Sequence, residues 1–365
     1  MSFEKVGFIG LGLIGGSIAK TIKKKYSDTT LIATARHTDT IQEAHDFGTI
    51  ENDTLLPLSD FADCDYIFLC TPVQQNLIYL KELKSVIKPS CIITDVGSVK
   101  SDIHKAVTAL DMEANFIGGH PMCGSEKTGF FNATEYLLEN AYYIITPTAK
   151  TAPAQLEDFH ALVKSLGSVP MILDYEKHDF ATAAISHLPH IIASSLVNLV
   201  SDLDDEQETM RTIAAGGFKD ITRIASSSPV MWQNICLSNQ EQILKLTDCY
   251  IHALQNIRSS VADAKSDDII SFFQSAKDYR DSITTPVRGS LQKNYSVYCD
   301  LVDEAGAIAT LATIMASHNI SIKNIGILHN REYEDGVLQI EFYEEDALEK
   351  AVKLMEDNHY VMHRR

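Results

Sequence analysis

The sequence lacks the features of a membrane protein, a disulfide-rich secreted protein and a zinc protein. Its 365 residues contain no evident apolar run of roughly 18 residues, the length that spans a bilayer. The start, Met1–Lys5, leads into a predicted strand instead of a signal peptide. The seven cysteines form no CxxC pair; they are Cys64, Cys70, Cys91, Cys123, Cys236, Cys249 and Cys299. We therefore expect a cytoplasmic protein with reduced thiols and no metal site.

Basic stretches are also scarce. The chain has 31 Lys and Arg against 49 Asp and Glu, for a formal net charge of −18, and its longest basic run is Lys23–Lys25. Such a charge repels polyanions, so we expect neither nucleic acid nor an anionic membrane surface as a partner. A small anionic substrate would need a local pocket of basic side chains.

The pattern that is present predicts three domains, consistent with roughly 100–200 residues per domain. In residues 1–173, β-branched runs alternate with helical stretches, which predicts a parallel sheet with helices on both faces. Residues 174–290 have long helical patterns and end in a linker, Thr284–Ser290. Residues 291–365 have a βαββαβ pattern, typical of a ferredoxin-like domain. Strands in the first domain are expected over Val6–Gly10, Thr30–Ala35, Tyr66–Cys70, Ile92–Val96, Asn115–Gly118 and Ala141–Thr146.

A glycine motif directly follows the first predicted strand. Gly10, Gly12 and Gly15, with Leu13 and Ile14 between them, form G-x-G-x-x-G at the start of a helical run. This spacing allows a tight turn, a close approach of the backbone to a pyrophosphate, and an anion at the helix N-terminus. It predicts a Rossmann-like dinucleotide-binding domain over residues 1–173; the alternative is a glycine-rich turn without a ligand.

The cofactor's identity is open at this stage. About 20 residues beyond the motif, where NAD-binding proteins usually place an acid, the chain has Ala35-Arg36-His37. Arg36 could bind a 2′-phosphate or simply be solvated, so NAD is expected without excluding NADP. Thr71 and Pro72 follow the third predicted strand and are further candidate cofactor contacts.

Polar residues at strand ends predict the reactive groups. His120 lies between glycines and a proline after a predicted strand, and Ser98 follows another strand. A histidine presented in this way can act as a general base, and Ser98 could hydrogen-bond to it. The alternative is a structural or exposed histidine.

The predicted helical domain supplies candidate anion-binding residues. Ser186 and His190 belong to the segment SHLPH, in which Pro189 suits the first position of a helix. Lys219 and Arg223 are spaced i, i+4, and could form a basic pocket or a solvated face. The His-x-x-His spacing lacks an evident third metal ligand, so no metal is expected.

Together these motifs resemble those of the prephenate dehydrogenase family. The matching segments are GLGLIG at 10–15, DVGSVK at 95–100, GHPMCGSEK at 119–127, SHLPH at 186–190, GGFKDITRIA at 216–225 and Met231-Trp232. The resemblance implies an NAD-dependent enzyme of tyrosine biosynthesis that oxidises and decarboxylates prephenate, a dianion. It also implies that residues 174–290 are an all-helical substrate and dimerisation domain, and that the chain is at least a homodimer.

Residue roles follow from the same resemblance. His120 is similar to the family's catalytic base, Ser98 to the serine that orients it, and Arg223 to an arginine that binds a substrate carboxylate. Further substrate contacts are implied for Ser125, Ser186, His190 and Lys219. Glu126 and Trp232 resemble residues at the mouth of the active site.

The tail, residues 291–365, resembles an ACT domain. Asp303 and Gly306 lie between its first strand and first helix, and Asn319 precedes its second strand. The resemblance implies an amino-acid site and hence tyrosine as an effector; the alternative is a dimerising appendage without a ligand.

Other functions compete with this interpretation. Arogenate or cyclohexadienyl dehydrogenases perform the same chemistry on a related substrate, and β-hydroxyacid dehydrogenases share a two-domain plan but rely on a catalytic lysine. A catalytically inactive, nucleotide-bound amino-acid sensor is the alternative outside the enzymes.

Overall fold

The computed structural model describes residues 3–124, 127–284, 295–301, 304–328 and 336–363. The candidate residues Ser125, Glu126 and Asp303, and most of the predicted linker, lie outside these ranges. Two compact units are present, Met1–Gln255 and Asn256–Arg365.

The first unit begins with a doubly wound α/β fold. Four parallel strands lie in the order β2-β1-β3-β4, and a parallel bridge from Ile93 to Phe116 leads to three further strands in the order β5-β6-β7. The strands are β1 Lys5–Ile9, β2 Thr30–Thr34, β3 Tyr66–Leu69, β4 Ile92–Asp95, β5 Ile117–Pro121, β6 Tyr142–Pro147 and β7 Val169–Ile172. The helices are α1 Leu13–Lys25, α2 Thr38–Asp46, α3 Val73–Leu83, α4 Ser101–Ala109 and α5 Pro153–Ser165.

Both faces of this sheet are buried. Successive strand residues point to opposite faces, so Phe8 packs in one apolar cluster with Phe68, while the next residue, Ile9, packs in another with Ile67. The Phe8 and Phe68 rings stack with centroids 5.2 Å apart. A strand that is buried on both faces must be apolar along nearly its whole length. These apolar runs are the sequence pattern that predicts the strands.

Three details differ from the expected sheet. Strand β5 runs antiparallel to β6, so the sheet is not parallel throughout. Strand β5 also extends to Pro121, so His120 lies within a strand instead of in a loop. Strand β7 was not predicted. It has four residues, contains Pro170 and, among the described strands, pairs only with β6. Such a short edge strand gives a weak pattern.

A helical region follows. Its first helix, Tyr175–Leu203, consists of α6 Tyr175–Thr182, a π-helical turn Ala183–His187 and α7 Leu188–Leu203. By length and composition alone this helix could cross a membrane, which corrects the expectation that the sequence has no such run. The remaining helices of the region are α8 Thr209–Ile213, α9 Gly216–Thr222, α10 Pro229–Ser238, α11 Gln240–Ala262 and α12 Ser266–Thr284.

Helices α10 and α11 are separated by a break at Asn239. Its side-chain amide donates to the Asp179 carbonyl oxygen at 2.9 Å and lies 3.2 Å from His187 Nδ1. Asn239 is buried, so these tertiary bonds stabilise the break between α10 and α11.

The C-terminal domain is a four-stranded antiparallel sheet in the order β11-β8-β10-β9, with two helices. Its elements are β8 Tyr295–Leu301, α13 Ala307–Ser317, β9 Ile322–Leu328, β10 Gly336–Phe342, α14 Glu345–Asp357 and β11 Met362–His363. Leu311 and Met315 of α13 and Val352 and Met355 of α14 share one core with the sheet. This is the expected βαββαβ order.

Candidate active site

The glycine loop has the geometry of a phosphate-binding turn. Gly10 has a φ of 91°, a conformation that favours glycine, and Gly12 directly precedes α1. A Cβ at Gly15 would lie 2.7 Å from the Gly10 carbonyl oxygen, whereas a Cβ at Gly12 would meet no atom within 4 Å. The loop therefore leaves open space at the N-terminus of α1, where Leu13 and Ile14 begin the helix and no acidic residue repels an anion.

The other expected cofactor residues lie at the ends of neighbouring strands. Thr71 follows β3, and its hydroxyl donates to Asn76 Oδ1 at 2.5 Å. Pro72 then precedes α3. Arg36 is exposed just beyond β2, which is joined to the glycine loop by the bond from Gly10 N to the Thr34 carbonyl oxygen. These positions surround the carboxyl ends of β1, β2 and β3, as expected for a dinucleotide site.

His120 is buried and linked to two residues of α6 that sequence analysis missed. Its Nδ1 lies 2.8 Å from His178 Nε2, and His178 Nδ1 lies 2.8 Å from Asp179 Oδ1. The Asp179 carboxylate also accepts the backbone N–H groups of Lys100 at 2.8 Å and Ser101 at 2.7 Å. This Asp179–His178–His120 chain joins the helical region to the sheet.

A buried ion pair fixes the backbone next to His120. Lys100 Nζ donates to the Asp95 carboxylate and to the Gly119 carbonyl oxygen, the latter at 2.6 Å. The same carboxylate accepts the Gly119 N–H at 3.3 Å. Both polar backbone groups of Gly119 are therefore held, which fixes where β5 presents the next residue, His120.

Burial keeps His120 neutral. It lowers the pKa of His120 well below the usual value, and the neighbouring His178, Lys100 and His187 lower it further. Burial alone would raise the pKa of Asp179, but the hydrogen bonds from His178, Ser101 and Lys100 lower it below the usual value. A neutral imidazole has a lone pair with which it can accept a proton, and the ionised Asp179 carboxylate reaches this imidazole through His178.

A second cluster lies at the start of α7. The His190 ring stacks on Trp232 with centroids 3.8 Å apart, and His187 meets the same indole edge-on at 6.0 Å. Burial lowers the pKa of His190; its hydrogen bond to the Ile224 backbone opposes this shift, and the positive charge of Arg223 adds to it. His187 Nε2 and Trp232 Nε1 are buried without a hydrogen-bond partner in the described structure. Polar atoms of this kind could bind a small polar ligand.

The structure places the remaining expected residues as follows. No hydrogen bond joins Ser98 to His120, both of which are described; His120 Nδ1 is paired with His178 instead. Ser186 lies in the π-helical turn, a feature that is frequent at functional sites. Lys219 is exposed on α9, and Arg223 directly follows that helix, where it begins a 3₁₀ turn.

The residues that sequence analysis missed had a weak local signal. A His-Asp pair, His178-Asp179, begins the predicted helical domain, but helices often carry such pairs on exposed faces. Its contacts with residues that are distant in the sequence distinguish it, such as the contact with His120, 58 residues away. Within the described ranges no group of three or more His, Cys, Asp or Glu side chains could hold a metal ion.

Comparison with known proteins identifies the family. Residues 18–172 match a model described as prephenate dehydrogenase, nucleotide-binding domain, and residues 174–275 match one described as prephenate dehydrogenase, dimerization domain. The prephenate dehydrogenase of Bacillus subtilis (strain 168) is 38% identical over 349 residues, which cover 95% of this chain and 94% of that protein.

Solved structures agree. Prephenate dehydrogenase from A. aeolicus, in complex with hydroxyphenyl propionate and NAD+, has a TM-score of 0.72 at 28% identity and covers 78% of this chain and 99% of its own. Synechocystis arogenate dehydrogenase has a TM-score of 0.70 at 31% identity and covers 77% of this chain and 100% of its own. The chain therefore belongs to the prephenate dehydrogenase family of NAD-dependent oxidoreductases.

Proposed function

We propose that the chain oxidises prephenate with NAD and releases carbon dioxide, giving 4-hydroxyphenylpyruvate. The observation that carries the proposal is the buried His120 on β5, in a sheet that the Ile93–Phe116 bridge joins to the sheet with the open phosphate-binding turn. Family membership supplies the reaction class, and the site supplies a base for it.

In this proposal His120 accepts the proton of the substrate hydroxyl, and Ser98 contacts the same hydroxyl. NAD, when bound, accepts the hydride; Gly10, Gly12, Gly15, Thr71 and Pro72 would hold it. Loss of the ring carboxylate makes the ring aromatic, so the main task of the protein is to orient the substrate.

The two substrate carboxylates would bind in the helical region. His190 and Arg223 lie close enough for the arginine charge to lower the histidine pKa, so Arg223 supplies the positive charge of this region and His190 is its neutral neighbour. An arginine binds a carboxylate through charge-assisted hydrogen bonds. Ser186 and Lys219 are further candidates, Trp232 would cover the substrate, and Ser125 and Glu126 are assigned by resemblance alone.

The first test is formation of reduced cofactor with prephenate, with NAD and NADP side by side. We expect turnover with NAD. His120→Asn should lower kcat by about 10²–10⁴-fold with KM little changed, because a general base contributes a factor of that size. Unchanged turnover in this variant would remove His120 from the role of base.

Arg223→Ala should act mainly on substrate binding. Loss of a hydrogen bond to a charged group, about 1.5–3 kcal/mol, corresponds to a rise in KM of roughly 10–150-fold. Arg211→Ala is the matched control, because Arg211 is exposed on α8 and pairs only with Glu208 among the described residues. Equal effects of the two substitutions would contradict the assignment of Arg223.

Arogenate is the second candidate substrate, because an arogenate dehydrogenase is among the similar structures. The two substrates differ by an amino group in place of a keto group, so both belong in the same assay. Turnover of arogenate alone would replace prephenate in the proposal. If neither prephenate nor arogenate is turned over, the alternative of a catalytically inactive, nucleotide-bound amino-acid sensor is favoured.

A homodimer formed by the helical domain, residues 174–290, is also part of the proposal. The matched model is that of a dimerization domain, and the region exposes Leu199, Leu203, Leu237, Leu244 and Leu254. Large exposed apolar surfaces mark protein interfaces. Sedimentation should give about twice the chain mass of 40.4 kDa, and a monomer at micromolar concentration would contradict it.

Tyrosine is proposed as an effector of the C-terminal domain, residues 291–365. Gly306, with a φ of 95°, precedes α13, and Asn319, with a φ of 56°, follows it, as expected for the turns at the two ends of that helix. Asp303 lies outside the described residues. Inhibition by tyrosine that disappears on replacing Gly306 by Val would support this site; inhibition that persists would place tyrosine elsewhere.

A cytoplasmic location is proposed as well, where the seven free thiols stay reduced.

A further inference from the structure

Three side chains from two parts of the fold form one hydrogen-bonded chain, and its far end is a carboxylate. His178 and Asp179 come from α6, His120 comes from β5, and the three side chains are buried. The proposed function needs only His120. Burying His178 and Asp179 costs free energy, because charged and polar groups lose hydration, so packing alone does not explain their position.

We propose that His178 and Asp179 are positioning residues, which hold His120 in the tautomer with its proton on Nδ1 and offset the charge that its ring gains when it accepts a proton. The proposal rests on the proposed function insofar as His120 is the base. It deepens that function by assigning the groups that make this histidine usable.

The hydrogen-bond partners determine the tautomers. An ionised carboxylate only accepts, so His178 Nδ1 must donate to Asp179. His178 Nε2 then carries a lone pair and accepts the Nδ1–H of His120. His120 Nε2 is left with the lone pair that a base requires. The Thr182 hydroxyl, 3.4 Å from His178 Nε2, is a more distant neighbour and does not alter this order.

Charge gives Asp179 its second role. A protonated His120 would face the positive charge of Lys100 and the rings of His178 and His187, in a buried site. The nearby carboxylate of Asp95 is already paired with Lys100. Asp179 is therefore the negative charge in the described site that can offset the proton, through the polarisable ring of His178.

The carboxylate is itself held in place. Two N–H groups at the start of α4 donate to Asp179, and Asn239 binds its carbonyl oxygen. The Asp179→Asn side chain would have to turn either an N–H toward His178 or an N–H toward Ser101. The first orientation reverses both histidine tautomers and places a proton on His120 Nε2.

The first experiment compares variants by steady-state kinetics with NAD and prephenate. Asp179→Asn and His178→Leu should each lower kcat by about 10²–10⁴-fold with KM within about threefold, as expected when the wrong tautomer is present. His178→Gln should recover at least about tenfold relative to His178→Leu, because its amide oxygen can accept the His120 Nδ1–H. A purely structural role would not give this order.

The matched control is His104, a buried histidine that bonds to Thr146 at 2.9 Å and is not hydrogen-bonded to the three residues. His104→Leu should keep kcat within about threefold in protein that still binds NAD. A kcat within threefold of the parent in folded Asp179→Asn would overturn the proposal, and so would equal losses in the leucine and glutamine variants at position 178.

A second measurement does not depend on turnover or on folding of the variants. Nitrogen-15 NMR of the imidazole groups in the unmodified chain should show His120 and His178 protonated on Nδ1. A proton on His120 Nε2 in the resting protein would overturn the proposal. Absence of prephenate turnover with the expected tautomers would contradict the proposed function and leave the arrangement of the three residues supported.

Discussion

Replacing Lys100 by methionine should strongly destabilise the nucleotide-binding domain. The side chains of Lys100 and Asp95 are 0% exposed and form an ion pair. Lys100 also donates to the carbonyl oxygen of Gly119, the residue next to His120 in β5. The substitution would leave the Asp95 carboxylate buried without its cation. Breaking a buried pair in this way costs about 3–5 kcal/mol of unfolding free energy.

A double substitution separates the contribution of the ion pair to the free energy of unfolding from the contribution of side-chain packing. In Asp95→Asn with Lys100→Met no charge of the pair is buried, and the new amide oxygen could still accept one of the N–H groups of Gly97 and Gly119 that the carboxylate accepts. The double variant should therefore lose less unfolding free energy than the two single variants lose together. The difference should be about 2 kcal/mol or more, the size expected for directly coupled residues. Urea unfolding followed by circular dichroism measures each term.

The surface pair Lys88–Asp65 is the matched control, with its two atoms 2.6 Å apart and both side chains partly exposed. Lys88→Met should cost no more than about 1 kcal/mol, because solvent screens such a pair. The reasoning would be refuted if Lys100→Met cost no more than Lys88→Met, or if the double variant were additive.

Two further predictions concern the cofactor loop and acid stability. Gly12→Val should weaken NAD binding, measured by calorimetry, at little cost in stability, because the valine side chain would enter open space. Gly15→Ala should destabilise the fold by about 1–3 kcal/mol, because the new Cβ would meet other atoms at distances as short as 2.7 Å. Equal stability losses in the two variants would contradict this prediction. Burial lowers the pKa of both His104 and His187 to about 4. Between pH 4 and about 6.5 the unfolded chain binds more protons, so stability should fall as the pH decreases, by about 3 kcal/mol for each histidine. A midpoint of urea unfolding that stays constant between pH 4 and about 6.5 would refute this predicted loss of stability.

Much of the fold was predictable because its signals are local. The glycine motif at Gly10–Gly15 and the apolar strands β1 to β4 depend on neighbouring residues and on burial of both sheet faces. The C-terminal βαββαβ order was predictable for the same reason. The helix break at Asn239 was not, since its partners, Asp179 and His187, are distant in sequence.

The candidate site divides in the same way. Sequence by itself determined that His120 belongs to a dinucleotide-binding fold, that Arg223 and His190 belong to a helical region, and to which family the motifs belong, because each is a short pattern at a fixed place. Tertiary structure decided that His120 lies inside β5, that Lys100 and Asp95 hold its neighbour, and that His178 and Asp179 pair with it. Those contacts join residues far apart in the chain, and only packing of α6 against the sheet brings them within hydrogen-bond distance.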